Sequence, residues 1–392
     1  MEKELQPVVI GTVGAGYAAR LHGNGYKKSG GVPFRLKTIC DTVPELALKV
    51  QAEFGYEQVE TSYEKMLEDP EITVVDIVTP PLLHIPMAIQ AIQAGKHVIC
   101  EKPLTGYFGK PGEERVGDTP KQVMYEQVLA EMEKLGQVLR QSDRKFMYAE
   151  NFLYAPAVRK AAEVVRAKKS KILFMKGEES LSGSSSALSS QWSKVGGGTL
   201  IRTGTHPLSG MLWLKQQEAA ARGETITVQS VSADVGQTTR CLNAYEHRHI
   251  RANPLDVEDY AAVTVTFSDG TKCLTIASDT VLGGTKNYIE VYANDAALVC
   301  NLTPTDLMNT YFLDQDGMQD VYISEMLPQA IGWNKAFVSD EVIRGYADEL
   351  TRFLKAVAYD WDTSEDFAVA RETMKVIYAA YLSAESGKKV DL

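Results

Sequence analysis

The first residues whose types and spacing could do chemistry are Gly14-Ala15-Gly16-Tyr17-Ala18-Ala19, a match to G-x-G-x-x-[GA]. They follow the apolar run Val8, Val9, Ile10 and Val13, so the turn joins a buried strand to a helix. Gly14 permits the tight turn, and Gly16 lets a pyrophosphate approach the backbone. Ala19 lets helix and strand pack closely, while the free N–H groups of the helix start face the phosphate charge. A second strand, RLKTIC, ends in Asp41. A carboxylate there would hold the adenosine ribose hydroxyls and repel a 2′-phosphate, which selects NAD over NADP.

The elements that must position these residues follow in a regular rhythm. Helical periodicity covers residues 44–54 and 63–69; ITVVDIVTP is a buried strand, 84–94 an amphipathic helix, and HVICEKP the next strand. This order predicts an α/β fold, with a Rossmann doubly wound parallel sheet in residues 1–150. Ligands collect at the carboxyl ends of such strands, where Thr79, Pro80, Glu101 and Lys102 fall. Residues 105–120 break the rhythm with glycine and proline and read as a surface loop, a lid or a subunit contact. After a helix over 121–141 and the strand KFMYAENF, residues 151–392 form a second α/β unit. It contains the strand KILFMKGEES, a long Ser/Gly loop, a helix over 205–219 and alternating strands that predict a large open, mostly antiparallel sheet. The helical stretch 340–386 is expected to pack back onto the first unit.

The chain has 392 residues, a net charge of −10 and 44% apolar content, which argues against nucleic acid or an anionic membrane as a general partner. Five scattered cysteines without C-x-x-C spacing read as reduced thiols, and no apolar run is long enough to span a bilayer. With no recognisable signal peptide, the expectation is a soluble cytoplasmic protein. His247-Arg248-His249 lacks a third ligand at metal spacing, so no metal is expected, and Asp256–Asp259 reads as strand-edge charge.

Gly14-Ala15-Gly16, Asp41, Thr79-Pro80 with His84, Gly95-Lys96-His97, Glu101-Lys102-Pro103, and Gly196-Gly197-Gly198 with His206 carry a resemblance. The chain resembles the glucose–fructose oxidoreductase / inositol dehydrogenase / MocA (Gfo/Idh/MocA) family over nearly its whole length, with 105–120 as an addition. The resemblance implies NAD as cofactor, with Gly14, Ala15, Gly16, Tyr17, Ala18, Asp41, Thr79, Pro80, His84, Glu101 and Lys102 around it, and a homo-oligomer built through the open sheet. It also implies that Lys102 contacts the reacting hydroxyl and that His206 takes or relays its proton. Trp192 matches an aromatic near the pocket mouth, where it either stacks on a sugar face or anchors the Ser-rich loop. Two positions depart from the pattern: Arg202 stands where many relatives have aspartate, and Pro81 where many have asparagine.

The implied activity is hydride abstraction from a ring carbon, C3 by analogy, of a sugar or glycoside. Either the keto product leaves, or elimination, hydration and return of the hydride make the net reaction glycoside hydrolysis. A non-catalytic NAD-binding regulator is the remaining alternative. Arg202, read as an uncompensated guanidinium beside a cationic nicotinamide, calls for an anionic substrate, a sulfonated sugar such as a sulfoquinovoside or else a uronic acid or sugar phosphate, unless it pairs with Glu178 or Glu179 as scaffolding. Ser182, Ser184, Ser185, Lys194 and Trp192 are the accompanying candidates for substrate binding.

Overall fold

Four short apolar runs in the first third of the chain are buried on both faces, which is what a parallel sheet covered by helices requires. In the computed structural model, residues 5–184, 186–303, 305–319, 321, 323 and 331–392 are described. The first sheet contains β1 (Val8–Val13), β2 (Phe34–Cys40), β3 (Gln58–Glu60), β4 (Val74–Ile77), β5 (His97–Glu101) and β6 (Phe146–Ala149). Their order is β3-β2-β1-β4-β5-β6, every pair parallel. Helices α1 (Tyr17–Lys28), α2 (Pro44–Phe54), α3 (Tyr63–Glu68), α4 (His84–Gln93) and α5 (Lys121–Arg140) connect them. The strand order reverses between β1 and β4, so a crevice opens at their carboxyl ends. Gly14 turns the chain there with φ +100°, and a Cβ on it would lie 2.7 Å from the Val78 oxygen.

Helix α6 (Pro156–Lys168) leads into the second sheet. Its strands are β7 (Ile172–Ser180), β8 (Val228–Gly236), β9 (Tyr260–Phe267), β10 (Lys272–Ser278), β11 (Lys286–Ala293) and β12 (Ala297–Thr303). Strands β13 (Asn309–Phe312) and β14 (Gly332–Lys335) pair as a separate hairpin, and β15 (Val390–Asp391) completes the larger sheet as β12-β11-β7-β10-β9-β8-β15. All pairings in it are antiparallel except β7 with β10. Strand β9 alternates buried and half-buried residues, as a one-sided sheet requires. The remaining helices are α7 (Trp192–Val195), α8 (Thr205–Arg222), α9 (Ala244–His247), α10 (Asp340–Ile343), α11 (Tyr346–Ala358) and α12 (Ser364–Ser386). At the end of the chain α11 packs on α1, and α12 packs on α5, β6, α8 and β8.

Residues 105–120 are a strap rather than a lid. Val116 is fully buried, the Gly117 amide donates to Asp256 Oδ2 at 3.0 Å, and the Tyr107 amide donates to the Tyr378 hydroxyl at 2.6 Å. Gly106 faces Gly196 so closely that a Cβ on it would stand 3.0 Å from the Gly196 Cα, which explains why glycine is used in this crossing. The insertion therefore ties the end of β5 to the loop that carries Trp192.

Candidate active site

At the glycine turn, α1 begins at Gly16 with no side chain capping its free N–H groups, and a Cβ on Gly16 would meet only open space. That leaves room and donors for a pyrophosphate. Asp41 closes the far side: its Oδ2 accepts from the Ala15 amide at 2.7 Å and its Oδ1 from the Val43 amide at 2.8 Å. The carboxylate is thus fixed beside the turn, where an adenosine ribose belongs, and the cradle fits a dinucleotide. Tyr17 and Ala18 lie on the first turn of α1, Tyr17 with its ring largely exposed. Thr79 and Pro80 follow the end of β4.

Two expected cofactor contacts are corrected. His84 is buried behind the strand ends, its ring nitrogens 2.8 Å from the Pro103 and Thr79 carbonyls, so it ties the two strand-end turns together. Glu101 points inward, 3.3 Å from His22 Nε2, while His22 Nδ1 lies 3.0 Å from Asp76. Burial opposes a charge on His22, but these two carboxylates outweigh it and raise its pKa well above the ordinary value. The same buried histidine, with Lys102, holds the Glu101 carboxyl below its usual range against the cost of burial. Glu101 therefore anchors the end of β5, directly before Lys102.

Lys102 Nζ donates to the main-chain oxygen of Arg202 at 2.9 Å. Arg202 lies in a π-helical turn over Leu200–Gly204 that runs directly into α8. In that register its carbonyl would seek the amide of residue 207, which is Pro207 and has no N–H. Four residues later His206 is 3% exposed, with Nδ1 2.5 Å from Glu150 Oε1 at the end of β6. The Phe152 ring stacks on the imidazole with centroids 4.7 Å apart. Glu179 Oε2, from β7, lies 4.0 Å from His206 Nε2. An amine just after β5 and an imidazole on α8 are thus each held by an oxygen acceptor.

Arg202 pairs with Asp279, which follows β10, and not with Glu178 or Glu179. Its charge is compensated within the chain, so the ground for an obligatory anionic partner is removed. Trp192 has the packing of a loop anchor. It is buried, packed against Tyr381 with centroids 4.8 Å apart, with Lys121 Nζ 4.8 Å over the ring, and it lines a cavity of about 260 Å³ with Glu258 and Gln237 instead of a pocket mouth. Ser182 is buried and Ser184 Oγ accepts from the Ser186 amide. Lys194 is exposed, and among the described residues no hydrogen bond or ion pair joins Ser182, Ser184 or Lys194 to Arg202. Ser185 lies outside the described residues. In the His247-Arg248-His249 run, His247 Nε2 lies 2.6 Å from the Ala252 carbonyl and Arg248 stacks on Tyr245. Nor is Asp256–Asp259 plain edge charge. Glu258 is buried and accepts from the Gly198 and Leu200 amides at 2.7 and 2.8 Å, which caps the start of the turn that carries Arg202. Burial raises its pKa to about 7 against those hydrogen bonds.

The N-terminal part of the chain, residues 8–110, matches the model "Oxidoreductase family, NAD-binding Rossmann fold", and residues 174–299 match the "GFO/IDH/MocA C-terminal domain". The chain belongs to the Gfo/Idh/MocA family. Levoglucosan dehydrogenase of Pseudarthrobacter phenanthrenivorans is 27% identical, with 99% of each chain covered. Among solved structures, GenD2 from gentamicin A biosynthesis in complex with NAD superposes with a TM-score of 0.77 at 21% identity, covering 100% of this chain and 98% of that one. Levoglucosan dehydrogenase in complex with NADH and levoglucosan gives 0.72 at 22% identity, covering 98% and 99%. These likenesses establish the fold, and the N-terminal domain is an NAD-binding one. Among the described residues no helix is long and apolar enough to cross a membrane.

Proposed function

We propose that the protein is an NAD-dependent enzyme that oxidises a secondary ring hydroxyl of a sugar or cyclitol, with residues 1–150 holding the nucleotide and 151–392 the substrate. The observation that carries this reading is the seating of Lys102 on the Arg202 carbonyl, one turn from His206. NAD, when bound, supplies the acceptor for the hydride. Lys102 binds and orients the hydroxyl through its ammonium hydrogens, and His206 removes the hydroxyl proton. Glu179 and Asp279 line the neighbouring sheet ends with acceptors suited to the remaining O–H groups of a polyol. The named activity of the levoglucosan dehydrogenase relative supports the same class.

With Arg202 paired to Asp279, neutral sugars fit the site as well as the sulfoquinovosides suggested by the bare sequence. Glu179 also favours a second reading, redox-neutral glycoside hydrolysis, because a carboxylate near His206 could take the proton next to a C3 ketone. A panel of levoglucosan, scyllo-inositol, a methyl glucoside and a sulfoquinovoside, followed for NADH absorbance and released sugar, tests both. NADH accumulation supports the dehydrogenase; sugar release without net NADH supports the glycosidase; neither from any member refutes the proposal. The exposed face carrying Leu173, Phe174, Tyr292 and Val299 is the surface we assign to self-association. A sedimentation experiment in which Phe174→Glu leaves the assembly size unchanged would reject that assignment.

A further inference from the structure

Glu150 is completely buried at the end of β6, where its side chain also accepts from the Phe152 amide at 3.3 Å. Its Oε1 lies 2.5 Å from His206 Nδ1, and Phe152 covers one face of the imidazole. The histidine is therefore clamped along one edge and one face by a single short segment, residues 150–152. Its other nitrogen, Nε2, lies 4.0 Å from Glu179 Oε2, beyond hydrogen-bond reach.

We propose that Glu150 is the positioning residue of the site: it fixes the His206 tautomer, so that Nδ1 carries the hydrogen and Nε2 presents its lone pair to the substrate hydroxyl. The chemistry follows from the partners. A carboxylate only accepts, so the hydrogen in this contact belongs to Nδ1, and a neutral imidazole then has its free pair on Nε2. When Nε2 takes the hydroxyl proton the ring becomes a cation, and the adjacent carboxylate stabilises it without accepting the proton itself. Lys102 is held independently by the Arg202 carbonyl. The two halves of the proton machinery are thus oriented by different elements, β6 and the π turn.

This inference rests on the reading of His206 as the proton acceptor, but its test needs no substrate. The protein has six histidines, so a long-range ¹H–¹⁵N spectrum of the NAD-bound protein is tractable, with His206→Ala assigning the signal. The expected wild-type result is a ring that carries its hydrogen on Nδ1. In Glu150→Gln the amide can donate as well as accept, and the population should move toward the Nε2-protonated form. Glu150→Asp, which keeps the charge, should restore the Nδ1 form at least in part, and it stands in should the glutamine variant fail to bind NAD. An Nε2-protonated ring in the wild type, or an unchanged tautomer in a folded Glu150→Gln, overturns the inference. Failure of the parent reading shows separately, as undiminished sugar turnover by His206→Ala.

Discussion

The ammonium of Lys102 rests 2.9 Å from the main-chain oxygen of Arg202, so the side chain of one unit is seated on the backbone of the other. The seat exists because Pro207 cannot give an N–H to that oxygen in the π register. Removing the lysine should leave the fold and the nucleotide cradle intact, since neither Gly14, Gly16 nor Asp41 depends on it. Lys102→Ala is predicted to bind NAD within a few-fold of wild type and to lose about 10²–10⁴-fold in kcat. Fluorescence titration and initial rates check the two halves, and near-normal turnover removes Lys102 from the chemistry.

Asp41 is held by two backbone amides beside the glycine turn. A carboxylate after the second strand repels a 2′-phosphate, so titration should show NAD binding much more tightly than NADP. Asp41→Ala should narrow the preference. Equal affinities in the wild type contradict the assignment.

The Arg202–Asp279 pair is mostly shielded, with side chains 20% and 11% exposed. Arg202→Met leaves Asp279 without its cation and should cost about 1–3 kcal/mol in chemical denaturation. Pairing it with Asp279→Asn should recover part of that loss, a coupling a double-mutant cycle measures directly. Additive effects would mean that the two side chains do not act as a pair.

The parallel sheet, the glycine turn and the placement of Lys102 and His206 were legible because strand ends and helix starts carry local signals. The partners were not. Glu150, Asp279 and Glu258 are ordinary acids in sequence, and only the crossing of β6, β10 and the start of the π turn brings them to His206, Arg202 and Gly198. Trp192 looked available in a Ser-rich loop, yet the strap at 105–120 and helix α12 bury it, and both act from far along the chain. Arg202 reads as a lone cation in the sequence because its partner Asp279 lies 77 residues further along the chain.

Glu258 and Asp366 both titrate near a pKa of about 7 in the fold, because burial disfavours their charged forms. In the unfolded chain such groups titrate near 4. Between these limits the folded protein binds more protons than the unfolded one, so these groups make stability fall as pH rises from about 5 to above 7. Denaturant melts at pH 5 and 8 should show the loss, and Glu258→Gln should flatten the slope, by up to about 3 kcal/mol for that group. A variant with the wild-type slope shows that Glu258 does not titrate in this range.

Hydride transfer to NAD from C3 of a sugar ring is the step on which the proposed function turns. Its most direct test is a single turnover of the NAD-loaded protein with C3-deuterated levoglucosan, methyl glucoside and sulfoquinovoside in parallel. The account predicts deuterium in the reduced nicotinamide from at least one of them, with loss of the signal in Lys102→Ala and His206→Ala. Reduced nicotinamide carrying no label, or no reduction with any of the three, contradicts it.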